Sequence, residues 1–350
     1  MAGTRTPFPI PFGWFSIGYP EDYRGADAKA IYYFDRHLVA WRDEPGELHV
    51  QDAFCPHLGA HLGHGGTVEG CELVCPFHGW KYDAEGTNTE IPYSERTNRK
   101  ACLRTFPVVE RNGISFVWYH PDPEVGPRWE IPVVPEFDDD PQWSTVIRTE
   151  HVIDTAWQEM AENAVDSAHF RYVHNTAEVP ELESYDTSEF PYAQMRSSQK
   201  FPTPRGVMKG RIDSRNVGPG MAVVEFSGIV DTLNLAVTTP ITADQSIIRF
   251  NFRFRTMGDE ETTRNVGRAF VREVDKQVQE DKPIWEHKAH LVRPALADHD
   301  GPFMKFRRWA AQFYAEPVSD ERIVFPPPWW PDRVDEAPAK ATASAKHGPG

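Results

Sequence analysis

The sequence predicts an α+β protein in two parts, an all-β module followed by a module of long strands and helices. Three observations carry this. Short β-rich runs broken by Gly, Pro and Asp fill the chain to about residue 120. The stretch Arg249-Phe250-Asn251-Phe252-Arg253-Phe254-Arg255 alternates polar and aromatic residues, the period of a strand. Val266, Phe270, Val274 and Val278 recur every four residues, the period of a helix face.

In the first part the strand candidates are Ile31-Tyr32-Tyr33-Phe34, Leu38-Val39-Ala40-Trp41, Leu48-His49-Val50 and Ile114 to Tyr119, the last preceded by the turn signal Asn112-Gly113. Six prolines and the run Asp138-Asp139-Asp140 mark residues 121–142 as a connection. The domains are therefore set at 8–125 and 143–325, with a linker at 126–142. In the second part, residues 155–170 have helical composition, 221–237 and 246–256 read as long strands, and 176–220 as variable loops. Residues 260–282 read as a helix that Pro283 limits. The stretch 336–350, rich in Ala, Lys, Ser, Gly and Pro, reads as a disordered tail.

Composition bounds the function. The chain has 350 residues, 40% of them hydrophobic, with 11 Trp, 11 Tyr and 21 Phe, enough for a large core and an apolar pocket. A formal charge of −15 argues against nucleic acid, whose binders neutralise phosphates, and against an anionic membrane surface. No apolar run is long enough for a membrane span. Four cysteines make no disulfide scaffold and fit a reducing, cytoplasmic setting. Two of them, Cys71 and Cys102, read as small buried thiols.

The other two sit in a pattern. Cys55-Pro56-His57 is followed after 17 residues by Cys75-Pro76-Phe77-His78. Two thiolates and two imidazoles suit one Zn²⁺, or a [2Fe–2S] cluster with cysteines on one iron and histidines on the other. Gly59, Gly63, Gly65, Gly66 and Gly79 let backbone close around a cluster and aim N–H groups at its sulfurs. His61 and His64 read as loop residues beside it.

A second pattern lies about 90 residues on. Asp166 and His169 are three apart and share a helix face, so the carboxylate can hydrogen-bond the imidazole. His169 and His174 are five apart, about 140° around an ideal helix, too far for one metal. The helix must end or bulge between them. A metal held by two imidazoles needs a further ligand, and a carboxylate is the common third. Asp281 lies seven after Val274 and three after Val278, on the apolar side of its helix. Asp275 and Glu280 lie off that stripe, and Glu280 is the second candidate.

These motifs carry a resemblance. C-P-H-L-G-A-H-x17-C-P-F-H-G-W-K-Y resembles a Rieske cluster site, and E-N-A-V-D-S-A-H-F-R-Y-V-H resembles the iron-binding element of the Rieske non-haem iron oxygenases. Q-E-D-K-P-I-W-E-H-K is similar to the segment that supplies their aspartate ligand. The stretch from Gly301 to Tyr314 resembles the oxygenase component of 3-ketosteroid 9α-hydroxylases and their cholesterol 7-desaturase relatives.

The resemblance implies an all-β Rieske domain and then a helix-grip catalytic domain, an antiparallel sheet wrapped on long helices. Cys55, His57, Cys75 and His78 would hold the [2Fe–2S] cluster. His169, His174 and Asp281 would hold a mononuclear Fe(II). The enzyme would be a homotrimeric monooxygenase using O2 and electrons from NADH through a separate flavin and [2Fe–2S] reductase. Asp166 would bridge His169 to a cluster histidine, His78, of a neighbouring chain, and Asn163 would line the site. Ala60 and Trp80 stand where high-potential respiratory Rieske proteins carry a disulfide and a hydroxyl, so the potential is expected near the low end of the range of roughly −150 to +300 mV. The implied substrate is a steroid or similar flat polycycle, with Trp285 and Asn234 as pocket candidates, each equally readable as core. An aromatic or other alicyclic substrate, a steroid desaturase, an electron carrier and a zinc module are the alternatives. The face of Arg249, Arg253 and Arg255 reads as solvated.

Overall fold

The computed structural model describes residues 5–316 apart from 26, 139, 204, 205, 229 and 299. The expected tail at 336–350 and the end of the second domain lie outside the described residues.

The first module holds eleven strands: β1 (Gly13–Gly18), β2 (Lys29–Tyr33), β3 (Arg36–Arg42), β4 (Leu48–Asp52), β5 (Thr67–Glu69), β6 (Glu72–Val74), β7 (Lys81–Tyr82), β8 (Asn88–Glu90), β9 (Thr105–Phe106), β10 (Val108–Arg111) and β11 (Ile114–Tyr119). They form three small antiparallel sheets, in the orders β1-β11-β10, β2-β3-β4-β9 and β5-β6-β7-β8. The last carries the Cys75 loop between β6 and β7; the Cys55 loop follows β4. Beneath both loops lies a core that includes Val39, Trp41, Leu62, Leu73 and Tyr82. Cys71 and Cys102 are exposed rather than buried. Cys71 sits in the tight turn between β5 and β6, where a side chain has no core to face.

The second module is one seven-stranded antiparallel sheet under a long helix. Its elements are β12 (Ile147–Ile153), α1 (Trp157–Ala161), α2 (Ala168–Tyr172), β13 (Glu181–Asp186), β14 (Tyr192–Thr203), β15 (Gly206–Val217), β16 (Met221–Ser227), β17 (Thr232–Thr242), β18 (Gln245–Phe254), α3 (Glu260–His287) and α4 (Phe303–Ala310). The strand order is β12-β18-β17-β16-β15-β14-β13. The stretch 176–220, expected as loops, contains the three strands β13, β14 and β15 at one end of the sheet, with Ala193 and Val217 in the core. The expected strand 221–237 is two antiparallel strands with Met221 opposite Val237.

Helix α3 starts where Asp259 accepts a hydrogen bond from the Thr262 N–H at 2.7 Å, an N-cap. It does not stop at Pro283 but runs to His287. Proline removes one N–H donor and crowds one turn. Here Val278 and Trp285, on either side of it, are buried against Ile153 and Met160, and that packing outweighs the loss.

Strand β18 corrects another expectation. Phe252 and Phe254 are fully buried under α3, as the alternation implies. The opposite face is not solvated. Arg249 pairs with Glu150 at 3.1 Å and donates to the Tyr33 hydroxyl at 2.8 Å. Arg253 donates to the carbonyls of Ser144, Glu136, Asp138, Asp140 and Trp143. Of the three arginines only Arg255 is exposed. These cations tie the sheet to the first module and to the connection at 126–142. Ile131, Val134 and Phe137 of that connection are buried in a core shared by Trp14, Trp118, Leu233, Leu235 and Trp309. The two modules thus share one apolar core, and the connection is a structural part of it.

Candidate functional site

The two cysteine loops are built alike. The Cys55 N–H donates to Ala60 O at 2.8 Å and the Gly59 N–H returns to Cys55 O at 2.9 Å. The Cys75 N–H donates to Trp80 O at 2.8 Å and the Gly79 N–H returns to Cys75 O at 3.0 Å. Closing each turn takes a positive φ at Gly59 (75°) and Gly79 (69°), which glycine adopts without steric cost. The result brings together all four expected ligands.

Cys55 and Cys75 are buried, while His57 and His78 stand at the rim with ring centroids 4.7 Å apart. The hydrogen bond between the two thiols holds Cys55 down to about 5 and pushes Cys75 up. Nδ1 of His78 is buried with no partner. Two close sulfurs and an orphaned ring nitrogen suit a sulfur-and-nitrogen-bound cluster. Trp80 stacks on His57 at 4.4 Å, and the Tyr82 hydroxyl lies 3.1 Å from Cys55 Sγ. Nothing in the sequence reading singled out Tyr82. His61 and His64 pack on each other beside the loops, centroids 4.5 Å apart, and are not part of the four.

The second site grows from a broken helix. The expected helix at 155–170 is α1, a 3-10 turn at Glu162–Val165 and then α2. The break falls at Asp166, whose backbone is extended (φ −98°, ψ 96°). Its carboxylate therefore does not reach across a helix face to the His169 ring. Oδ1 accepts the N–H groups of Ala168 and His169 at 3.1 and 3.3 Å and stays 3.9 Å from His169 Nδ1. The ring is held instead by the Asp166 carbonyl, which accepts from Nδ1. Helix α2 ends at Tyr172, so His174 swings back to within 5.2 Å of His169, centroid to centroid.

Asp281 of α3 completes the group. His169, His174 and Asp281 offer ligand atoms within 4.8 Å of one another. Asp281 Oδ2 is 3.3 Å from His174 Nε2, and Asn163 Nδ2 lies 3.1 Å from His169 Nε2 and 3.4 Å from Asp281 Oδ2. Burial pushes Asp281 up to about 6 and pushes His169 down. Burial disfavours both charged forms; a divalent ion would restore the Asp281 carboxylate and bind the neutral His169 imidazole that burial already favours. The donor set of two neutral imidazoles and one carboxylate fits a ferrous ion with open positions.

Glu280, the second candidate, lies outside the trio. Its carboxylate accepts from His174 Nδ1 at 2.9 Å, behind the ring. Both histidines therefore commit Nδ1 to a protein acceptor and turn Nε2 to the centre.

The trio opens into a cavity of about 240 Å³. Apolar groups dominate its walls, among them Met160, Phe250, Val278 and Trp285. Trp285 lies where the sequence placed it. Asn234 does not line the cavity. It is buried one row away, its carboxamide oxygen accepting the Asn251 N–H at 3.0 Å. No residue of the two cysteine loops lines the cavity either.

An all-β module with a two-cysteine, two-histidine site, joined to a sheet-and-helix module with a two-histidine, one-aspartate site, defines a class of metalloenzyme. The Rieske [2Fe-2S] domain family matches residues 13–107, and the 3-ketosteroid 9alpha-hydroxylase C-terminal domain family matches residues 117–314. The chain is 30% identical to a 3-ketosteroid-9-alpha-monooxygenase oxygenase component of Rhodococcus rhodochrous, over 87% of this chain and 84% of the relative. It is 29% identical to a cholesterol 7-desaturase of Caenorhabditis elegans, over 88% of this chain and 77% of the relative. The fold is shared with dicamba monooxygenase bound to 3,6-dichlorosalicylic acid, at a TM-score of 0.72 and 20% identity, covering 86% of this chain and 96% of that one. The chain belongs to the Rieske non-haem iron oxygenases, in the family of the 3-ketosteroid 9α-hydroxylase C-terminal domain. As such it carries a [2Fe–2S] cluster and a mononuclear iron and takes electrons from a separate reductase.

Proposed function

We propose that this chain is the oxygenase component of a steroid-ring monooxygenase, with 9α-hydroxylation of a 3-ketosteroid as its reaction. The observation that carries the reading is the cavity, an apolar chamber with metal ligands at one end. Relatives across nearly the whole chain bear steroid names. When bound, the cluster supplies electrons one at a time and the ferrous ion supplies the dioxygen chemistry.

The residues of the chain do the rest. His169, His174 and Asp281 hold the iron, and Cys55, His57, Cys75 and His78 the cluster. Asn163 holds its amide between His169 and Asp281. Met160, Val278 and Trp285 exclude water and press a flat apolar substrate towards the ligands. Electrons come from an NADH-dependent flavin and [2Fe–2S] reductase.

The working unit is a homotrimer in which the cluster of one chain serves the iron of the next. Two exposed surfaces support this. Leu58, Phe77 and Tyr93 stand 60–64% exposed around the cluster loops, and Tyr172 stands 79% exposed beside the iron ligands. Asp166 holds the His169 ring through its carbonyl and leaves a third of its side chain exposed to reach His78 of the neighbouring chain across that contact.

The test is turnover of a small steroid panel with a surrogate NADH-dependent reductase, reading O2 uptake and product mass. A gain of one oxygen atom with coupled O2 uptake is the expected result. A loss of two hydrogens would make the chain a desaturase. Turnover confined to small aromatic compounds would overturn the steroid reading.

A further inference from the structure

The cavity has a near end and a far end, and the sheet register measures the distance between them. Asn216 of β15 pairs with Ala222 of β16, Ala222 with Ala236 of β17, and Ala236 with Phe250 of β18. All four line the cavity. Neighbouring strands lie 4.7–4.9 Å apart, so this row runs about 14 Å from Phe250 to Asn216.

The metal ligands belong to the Phe250 end. Val278 and Trp285, which flank Asp281 on α3, pack with Ile153, Met160, Ile248 and Phe250. Between the two ends the floor is Ala222 and Ala236, with nothing beyond a Cβ. A flat, bare floor several strands long calls for a rigid ring system of several rings, reacting at one end.

Asn216 stands at the other end. Besides the iron ligands, Asn163 and the indole N–H groups of Trp157, Trp285 and Trp309 (the last donating to Pro191 O), the cavity is lined by Asn216, Thr238 and Gln277, which can bind an uncharged oxygen. Gln277 is one turn before Asp281 on α3, and Thr238 pairs with Ile248, so both belong to the metal half. Among the described residues, the Asn216 carboxamide makes no hydrogen bond, although it is half-buried in an apolar chamber. It faces the cavity rather than the sealed core, so a ligand that displaces the water there can bond it.

We infer that Asn216 is the substrate-positioning residue that binds an oxygen, ketone or hydroxyl, at the end of the ring system remote from the carbon that reacts. Its amide donates to a ketone, and its two-sided chemistry lets it also accept from a hydroxyl. By fixing the far end it sets which carbon faces the iron. The inference rests on the steroid reading above.

The test uses the full chain with both iron centres loaded and measures substrate dissociation constants and product position. The probes are androst-4-ene-3,17-dione and its two counterparts lacking the 3- or the 17-oxygen. The wild type should bind the dione about threefold to tenfold tighter than one of the deoxo compounds, the worth of a hydrogen bond. Asn216→Leu should erase that difference and spread the product over more than one carbon. Asn216→Asp, which accepts but does not donate, should lose the dione and keep its 17-hydroxy or 3-hydroxy analogue. The cluster and iron contents of both variants report that they are folded. Equal losses on dione and deoxo probes, or a wild type that does not distinguish them, would overturn the inference and leave the steroid reading standing. A wild type that binds none of the three would overturn both.

Discussion

The carboxylate of Glu280 stands 2.9 Å from Nδ1 of His174, while the adjacent Asp281 meets Nε2 of the same ring at 3.3 Å. Two consecutive acids of α3 thus grip one imidazole from opposite sides. In the proposed site the inner one would ligate iron, while the outer one fixes the ring's tautomer and direction. Glu280→Gln should weaken Fe(II) binding about 10- to 100-fold without abolishing it, the usual worth of a group behind a metal-bound histidine. Competition with a ferrous chelator measures this; an unchanged affinity would contradict the role.

Asp166→Asn should leave both metal centres loaded, because Asn keeps the acceptor oxygen for the N–H groups of Ala168 and His169 and the carboxylate meets no ligand atom. It should stop the passage of electrons from cluster to iron. Single-turnover reoxidation of the reduced cluster is the measurement. Normal coupled turnover would remove Asp166 from the path between neighbouring chains.

Tyr82→Phe should lower the cluster midpoint. Its hydroxyl, 3.1 Å from Cys55 Sγ, favours the more negative reduced cluster. A hydrogen bond worth about 0.5–1.5 kcal/mol corresponds to roughly 20–60 mV in a one-electron couple. Tyr82 therefore lifts the potential from the low value that Ala60 and Trp80 imply, and the wild type should still titrate below about +200 mV. No shift in anaerobic redox titration would show that the hydroxyl does not reach the sulfur.

Behind α1, Glu159 is buried against Lys288 at 2.9 Å and the His290 Nδ1–H at 2.7 Å, with Arg307 gripping Glu162 alongside. Burial alone would raise Glu159, but the bonds from His290 and Lys288 hold it below its ordinary value of 4.5. A carboxylate depressed on folding stabilises the fold above its ordinary value. That contribution fades as pH falls through the lower folded value. Glu159→Ala should cost about 1–3 kcal/mol near neutral pH, since it leaves the buried His290 Nδ1–H without its acceptor. It should also flatten the acid limb of stability against pH. Denaturant titrations at several pH values measure both; an unchanged acid limb would contradict the account.

What the sequence could reveal depended on how local the cause was. The cysteine loops were legible because ligand, proline and glycine spacing is a local matter. Asp281 was legible because the period of α3 put it on the apolar side. The His169–His174 spacing correctly demanded a helix stop. It gave no sign of the earlier break at Asp166, which the capping of α2 imposes. Residues defined by distant neighbours were not legible. Glu280 lies off the apolar stripe, and only the fold brings His174 to it. Arg249 and Arg253 look solvated in a two-residue period, yet the first module and the connection at 126–142 cover them. Asn234 has the right parity for the cavity but lies one row too far along its strand.

Two separate iron stations on one chain underlie every role given above. The most direct measurement is iron and acid-labile sulfide per chain in the wild type and in Asp281→Ala. About three iron and two sulfide are expected in the wild type, and about two of each in the variant with the cluster spectrum intact. Two iron in both proteins, or zinc in place of iron, would contradict this.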